Sequence, residues 1–85
     1  MKVAYTHAFL RQLWSLEDDL QKETLGKIEL FKEKKNHRIL KVHKLKGRLA
    51  GRFSFSVDFR YRIIFTYLSK DEAVLHAIGD HDVYK

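Results

Sequence analysis

The chain has no cysteine, no proline and only four glycines among its 85 residues. Without cysteine there are no disulfides, no thiolate metal sites and no cysteine nucleophile. With no proline and glycine only at positions 26, 47, 51 and 79, nothing reads as a linker, a repeat or a low-complexity tract. No apolar run approaches the roughly 18–20 residues needed to span a bilayer, so no membrane association is expected. The opening "MKVAYTHAFLRQLW" is broken by charges and histidines, which does not fit a signal peptide; a cytoplasmic protein is expected. No glycine-rich phosphate loop, nucleophile elbow or HExxH or EF-hand spacing occurs, so nucleotide-binding and metal-hydrolase readings have no support.

One sign of charge is also missing from a long stretch. Between Glu33 and Asp58 there is no acidic residue at all. Residues 32–52 hold Lys32, Lys34, Lys35, Arg38, Lys41, Lys44, Lys46, Arg48 and Arg52 against Glu33 alone, a net +8, while the rest of the chain carries −2 and the whole +6. Such one-sided segregation points to a polyanionic partner rather than to a mixed solvated surface.

What is present describes one folded domain over residues 1–85. A hydrophobic content of 45%, with 13% aromatic, is that of a globule and not of a disordered tail. A chain this short buries only roughly 60–65% of its unfolded surface, so its core has little margin.

Periodicity changes halfway along the chain. "MKVAYT" alternates and predicts a strand over residues 2–6. Thr6 is placed to cap a helix with Phe9, Leu10, Leu13 and Trp14 at helical spacing. Asp18 or Asp19 predicts a new helix start, with a second helix over 20–35 and a stripe of Leu20, Leu25, Ile28 and Phe31; Asn36 is its stop. "RILKVHKLKGRLAG" reads as a basic connector. "RFSFSVDF" alternates, with Phe53, Phe55, Val57 and Phe59 on one face and Arg52, Ser54, Ser56 and Asp58 on the other. "YRIIFTYL" and "AVLHAIG" supply two more strands around a turn at "SKDE". The order β-α-α-β-β-β predicts an α+β fold: a small twisted antiparallel sheet with the helical hairpin packed on one face. The opposite face, with Ser54, Ser56, Asp58 and the basic connector, is then the working face.

Metal-free RNA cleavage needs a group to take the 2′-hydroxyl proton, a group to protonate the leaving 5′-oxygen, and cations for the phosphorane-like charge. His43 and His81 titrate near neutrality. Asp58 can serve as a base, orient a histidine, or simply hold a hairpin turn. Arg62 lies in the otherwise apolar strand "YRIIF", where an arginine needs a partner or a cleft. Tyr84 can stack on a base or close the core. His7, His37 and His76 read as surface residues. In "GDHDVY" adjacent side chains of an extended segment point to opposite sides, so Asp80, His81 and Asp82 do not read as a metal site, and no cofactor is expected.

At these residues the chain resembles a known family. "HKLKGRLAGRFSFSVDFRYRIIFTY", followed by "AIGDHDVY", is similar to the RelE/ParE superfamily of type II toxin–antitoxin toxins, and the likeness runs over essentially the whole chain. The most specific pieces are "LKG", "YRIIF" and an "IGxHxxxY"-like ending that is one residue tighter here. The resemblance implies a metal-free endoribonuclease that cuts mRNA in the ribosomal decoding site, against 16S rRNA, and a cognate antitoxin that wraps it. It implies that Arg62 contacts the scissile phosphate, that His81, His43 and Asp58 hold the functional positions of the histidine-using, YafQ-like branch, and that Tyr84 stacks on the substrate base. Lys41, Lys44, Lys46, Arg48, Arg52, Ser54, Ser56 and Arg60 are the expected RNA-binding residues. One departure matters. RelE has two lysines, and the YafQ-like branch a histidine and a lysine, at the positions of Ser54 and Ser56, and serine supplies neither charge nor an effective base. The ParE branch shares the fold but poisons DNA gyrase. A gyrase inhibitor, or a weakly catalytic relative acting through its antitoxin, therefore stands as the alternative.

Overall fold

A computed structural model describes residues 1–80 and Val83. Thr6 ends the first strand, β1 (Lys2–Tyr5), and starts the first helix, α1 (His7–Trp14). Its backbone is still extended, and its hydroxyl accepts the Phe9 N–H at 3.0 Å, a side-chain N-cap. Helix α2 (Asp18–Phe31) begins at the residues expected to cap it: Asp18 and Asp19 occupy its first turn, where carboxylates favour the positive end of the helix dipole, and Glu17 is the cap position.

The buried stripe of α2 is Thr24, Ile28 and Phe31, while Leu25 is 41% exposed, which corrects the expected stripe. Thr24 is tolerated at 0% exposure because its hydroxyl donates to Leu20 O at 2.7 Å. The helix ends at Phe31, short of the predicted 35, and a 3₁₀ turn, Lys34–Asn36, follows. Asn36 is part of the stop: its Nδ2 donates to Leu30 O at 3.0 Å.

The sheet has five strands in the order β1-β5-β4-β3-β2, with β2 (His43–Lys44), β3 (Phe53–Ser56), β4 (Arg62–Ser69) and β5 (Glu72–Gly79). It is mixed rather than wholly antiparallel, because β1 pairs with β5 in parallel, Lys2 opposite Glu72 and Tyr5 opposite Leu75. Parallel neighbours need a long crossover, and the helices together with the rest of the sheet supply it. Strand β2 lies inside the predicted connector. It is a two-residue edge strand with both side chains exposed, and a short charged edge of this kind resists pairing with other chains. Among the described residues no helix is long and apolar enough to cross a membrane.

Both helices contribute to one core with the inner sheet face: Phe9 and Leu13 from α1, Ile28 and Phe31 from α2, Phe55, Ile63, Phe65, Leu75 and Ile78 from the sheet. Phe31 is central to it. Its ring stacks on Phe55 at 4.3 Å and on His37 at 4.8 Å, and meets the edge of Phe65 at 4.7 Å.

Residues 36–42 close as one helical turn. The Val42 N–H donates to His37 O at 3.0 Å and the Lys41 N–H to Arg38 O at 3.1 Å, the paired bonds of a Schellman end. Glycine is the usual residue at its left-handed position, but this chain has Lys41 there, at φ 58°. Lys41→Gly is expected to stabilise the fold by roughly 0.5–1 kcal/mol by relieving that conformation. Urea denaturation checks this; a lower midpoint would show that the lysine stem contributes more than the strain costs.

Candidate functional site

The register of the sheet decides which side chains share its outer face. His43 on β2 is opposite Ser54 on β3, and Ser54 is opposite Ile64 on β4, which faces Ala77 on β5. One step along, Ser56, Arg62 and Gly79 form the next row. The side chains of His43, Ser54, Ser56 and Arg62 therefore lie on the face opposite the Phe55–Ile63 core, at the end of the sheet where the chain leaves β5.

Within this group Ser54 is 0% exposed and Ser56 half-buried. Strand β3 ends at Ser56, because the chain then turns: Asp58 Oδ1 accepts the N–H groups of Arg60 at 2.8 Å and Tyr61 at 2.6 Å. That bonding makes Asp58 a hairpin-turn residue, one of the roles left open for it. The turn also throws Phe59 out to 90% exposure instead of placing it on the core face.

Arg62 is held by the same hairpin. Its Nη1 donates to Asp58 O at 2.5 Å and to Tyr61 O at 3.1 Å. Both bonds use one nitrogen, Nη1. His43 is exposed, with Nδ1 2.8 Å from Lys41 O. A carbonyl only accepts, so this bond selects the Nδ1–H tautomer and leaves Nε2 as the proton-accepting nitrogen. His81 and Tyr84 lie outside the described residues. Beside them, the Val83 N–H donates to Asp80 O at 3.1 Å, and a Cβ on Gly79 would sit 3.2 Å from Val83 Cβ. Glycine at 79 thus lets the returning chain approach the Ser56–Arg62–Gly79 row closely.

Of the basic segment, Lys41 lines the same cleft as Ser56 and Arg62. Lys32 pairs with Glu29 at 2.6 Å and Lys34 with Asp71 at 2.8 Å. The hydrogen bond and charge of Glu29 raise the Lys32 pKa, and those of Lys34 lower that of Asp71. Lys35, Arg38, Lys41, Lys44, Lys46, Arg48 and Arg52 form no salt bridge among the described residues, and all seven are exposed. Arg60 is exposed too, its guanidinium 5.8 Å from the Tyr61 ring centroid. A cleft of about 250 Å³ runs between Lys27, Ile39, Lys41, Ser56, Phe59 and Arg62. Among the described residues no three His, Asp or Glu side chains converge as a metal-binding set.

Three residues were missed in the sequence. Gln12 Oε1 accepts the Ile78 N–H at 2.8 Å, satisfying the part of β5 that extends past its pairing with β1 and steadying the approach to the chain end. No local pattern announces this contact, which spans 66 positions. His76 is not a simple surface residue: it is half-buried, with Nε2 2.8 Å from Thr66 Oγ1. His37 likewise stacks on Phe31, and its Nε2 is 2.8 Å from Phe31 O.

Burial, then the nearby Arg52 charge, pushes the His76 pKa below its ordinary 6.5. The folded chain therefore holds this imidazole neutral at a pH where the unfolded chain already protonates it. Stability is unaffected well above 6.5 and falls as pH drops below it. Urea midpoints measured from pH 8 to 5 should show that fall. His76→Gln should flatten it, and an unchanged profile would assign the loss to another group.

No protein-family model matches the chain, and no curated protein matches it. Solved structures do. The YoeB/ParE toxin from Agrobacterium tumefaciens superposes at TM-score 0.67 with 18% identity, covering 95% of this chain and 99% of that one. YafQ from Escherichia coli gives 0.68 with 14% identity over 98% and 96%. The archaeal RelE–RelB complex from Pyrococcus horikoshii gives 0.72 with 18% identity over 93% and 92%. At these identities the likeness concerns architecture, and on that ground the chain has, over almost its whole length, the fold shared by the RelE, YoeB, YafQ and ParE toxins.

Proposed function

We propose that this chain is the toxin of a type II toxin–antitoxin pair, a metal-free endoribonuclease that cuts mRNA on the ribosome in the cytoplasm. The observation that carries this reading is a full-length RelE-like fold whose outer sheet face gathers His43, Ser56 and Arg62, with Lys41 lining the same cleft as Ser56 and Arg62.

In the proposed reaction a base withdraws the 2′-hydroxyl proton and the 2′-oxygen attacks the adjacent phosphorus. The bond from phosphorus to the 5′-oxygen breaks, and an acid protonates that oxygen. The products are a 2′,3′-cyclic phosphate and a 5′-hydroxyl, with no water consumed. His43 Nε2 serves as the base and His81 as the acid. Arg62 stabilises the charge that grows on the phosphoryl oxygens, and the preset hold of the hairpin on its Nη1 keeps it in place without reorganisation. Asp58 acts through Arg62, as a positioning residue. Tyr84 stacks on the base beside the cut. Lys41, Lys44, Lys46, Arg48, Arg52, Ser56 and Arg60 guide the RNA backbone and ribosomal RNA. The antitoxin is read as an acidic or amphipathic segment that covers the same cations, in keeping with a RelE–RelB complex among the structural neighbours.

The test is a translation reaction programmed with a defined mRNA and read by primer extension, with a gyrase supercoiling assay on the same protein preparation. New 5′ ends within the reading frame, with supercoiling untouched, are expected. Inhibited supercoiling without cleavage would replace this reading by the ParE-like one.

A further inference from the structure

Phe59 is 90% exposed at the tip of the β3–β4 hairpin, a costly place for a phenyl ring that touches no core. The hairpin turn is built so that the ring stays there, since Asp58 fastens the two amides that follow it. Two clefts meet at the ring, and they carry opposite charge. On one side lie Lys27, Lys41, Ser56 and Arg62, with Ile39, 68% exposed, as a second apolar surface. On the other lie Glu17, Asp19 and Glu23 from the start of α2, with Arg60 and Tyr61 at the hairpin edge, a lining that stays net acidic. The first cleft, about 250 Å³, is an open groove smaller than the roughly 300–1,000 Å³ of pockets that enclose a ligand.

We infer that Phe59 is a stacking platform for one unpaired nucleobase, and that it ends the path of a single-stranded RNA across this face. An aromatic ring bordered by cations is the arrangement that holds single strands: the cations take the backbone and the ring takes a base of any identity. The acidic cleft beyond Phe59 repels the next phosphate, so the strand leaves the surface at this point. The groove is continuous with Arg62, so the stacked nucleotide is one that flanks the scissile phosphate and lies on the hairpin side. This proposal rests on the RNA-cleaving reading of the same face and adds to it a nucleotide-binding position that does no chemistry.

The experiment is equilibrium binding of a short fluorescein-labelled single-stranded RNA to the full chain at two salt concentrations, read by anisotropy. It compares wild type with Phe59→Ala, Phe59→Leu and Phe59→Trp. A side chain this exposed can be changed without loss of fold, and circular dichroism verifies it. Phe59→Ala and Phe59→Leu should bind about tenfold more weakly with an unchanged salt slope, because stacking is lost while phosphate contacts remain, and Phe59→Trp should restore affinity. Affinity that depends on Phe59 without any mRNA cleavage keeps the platform and removes the nuclease. Wild-type affinity in Phe59→Ala, in a preparation that still cleaves, removes the platform alone. Full affinity in Phe59→Leu also overturns it, since an apolar contact is then enough. Unchanged RNA affinity together with weaker capture of a co-expressed antitoxin would assign the ring to a protein partner and overturn the proposal.

Discussion

Phe31→Ala is expected to remove a large share of the chain's stability, about 3–5 kcal/mol. The ring is 0% exposed and lies between Phe55 at 4.3 Å and His37 at 4.8 Å, with Phe65 at its edge. It joins α2 to the sheet and to the 36–42 turn at once. Removing a buried phenyl ring costs about 3–5 kcal/mol, because transfer energy and a cavity add. A domain of 85 residues has a total stability of only about 4–13 kcal/mol, and with no cysteine it has no disulfide to limit the unfolded state. The ring stacking deepens the loss, since an aromatic pair is worth about 0.5–1.5 kcal/mol beyond its buried area. Urea denaturation followed by circular dichroism measures the effect, and Phe31→Leu, which keeps most of the volume, should lose far less. A Phe31→Ala midpoint close to wild type would mean that the core is centred elsewhere.

Arg62→Ala is expected to lower the cleavage rate by roughly 10²–10³-fold, the usual effect of deleting one preset donor to a developing oxyanion. Two properties make the loss large. The guanidinium is held by two backbone carbonyls at 2.5 and 3.1 Å, so it needs no reorganisation as charge develops. It also lies in one sheet row with Ser56 and Gly79, so no other described cation occupies that row. Arg62→Lys keeps the charge but not the planar fork, and should recover only part of the rate. The fall should appear mainly in kcat, because on the proposed reading the other exposed cations still contact the backbone. A fall confined to KM would make Arg62 a binding residue only. The variants must be checked for folding, since the lost bonds tie the hairpin to β4.

Most elements could be read from periodicity, and what could not has identifiable physical causes. The period-two runs and the Thr6 cap located the strands and α1, because each signal lies within a few residues. The parallel β1–β5 pairing joins residues some 70 apart in the chain, and nothing local encodes it. Strand β2 was hidden in the basic connector because two residues make no period. Counting the alternation of "RFSFSVDF" straight through Asp58 put Phe59 in the core; an aspartate followed by Phe-Arg-Tyr is also an Asx-turn signal, and the turn prevailed. Leu25 gave way to Thr24 because a threonine that bonds back to its own helix can be buried without an unpaired hydroxyl. At the site, types and order were legible: His43, Arg62 and the run of cations stand out in one sequence. Their roles were not. Ser54 is buried, and Asp58 Oδ1 caps the hairpin turn. His81 and Tyr84 lie outside the described residues.

The most direct measurement is the chemistry of the RNA ends. Messenger RNA recovered from a translation reaction containing the wild-type chain should carry new internal 5′ ends that are hydroxyls, matched by 2′,3′-cyclic phosphates, and these ends should be nearly absent with Arg62→Ala. No new ends, or ends bearing 5′-phosphates, would contradict a metal-free transesterification at this face.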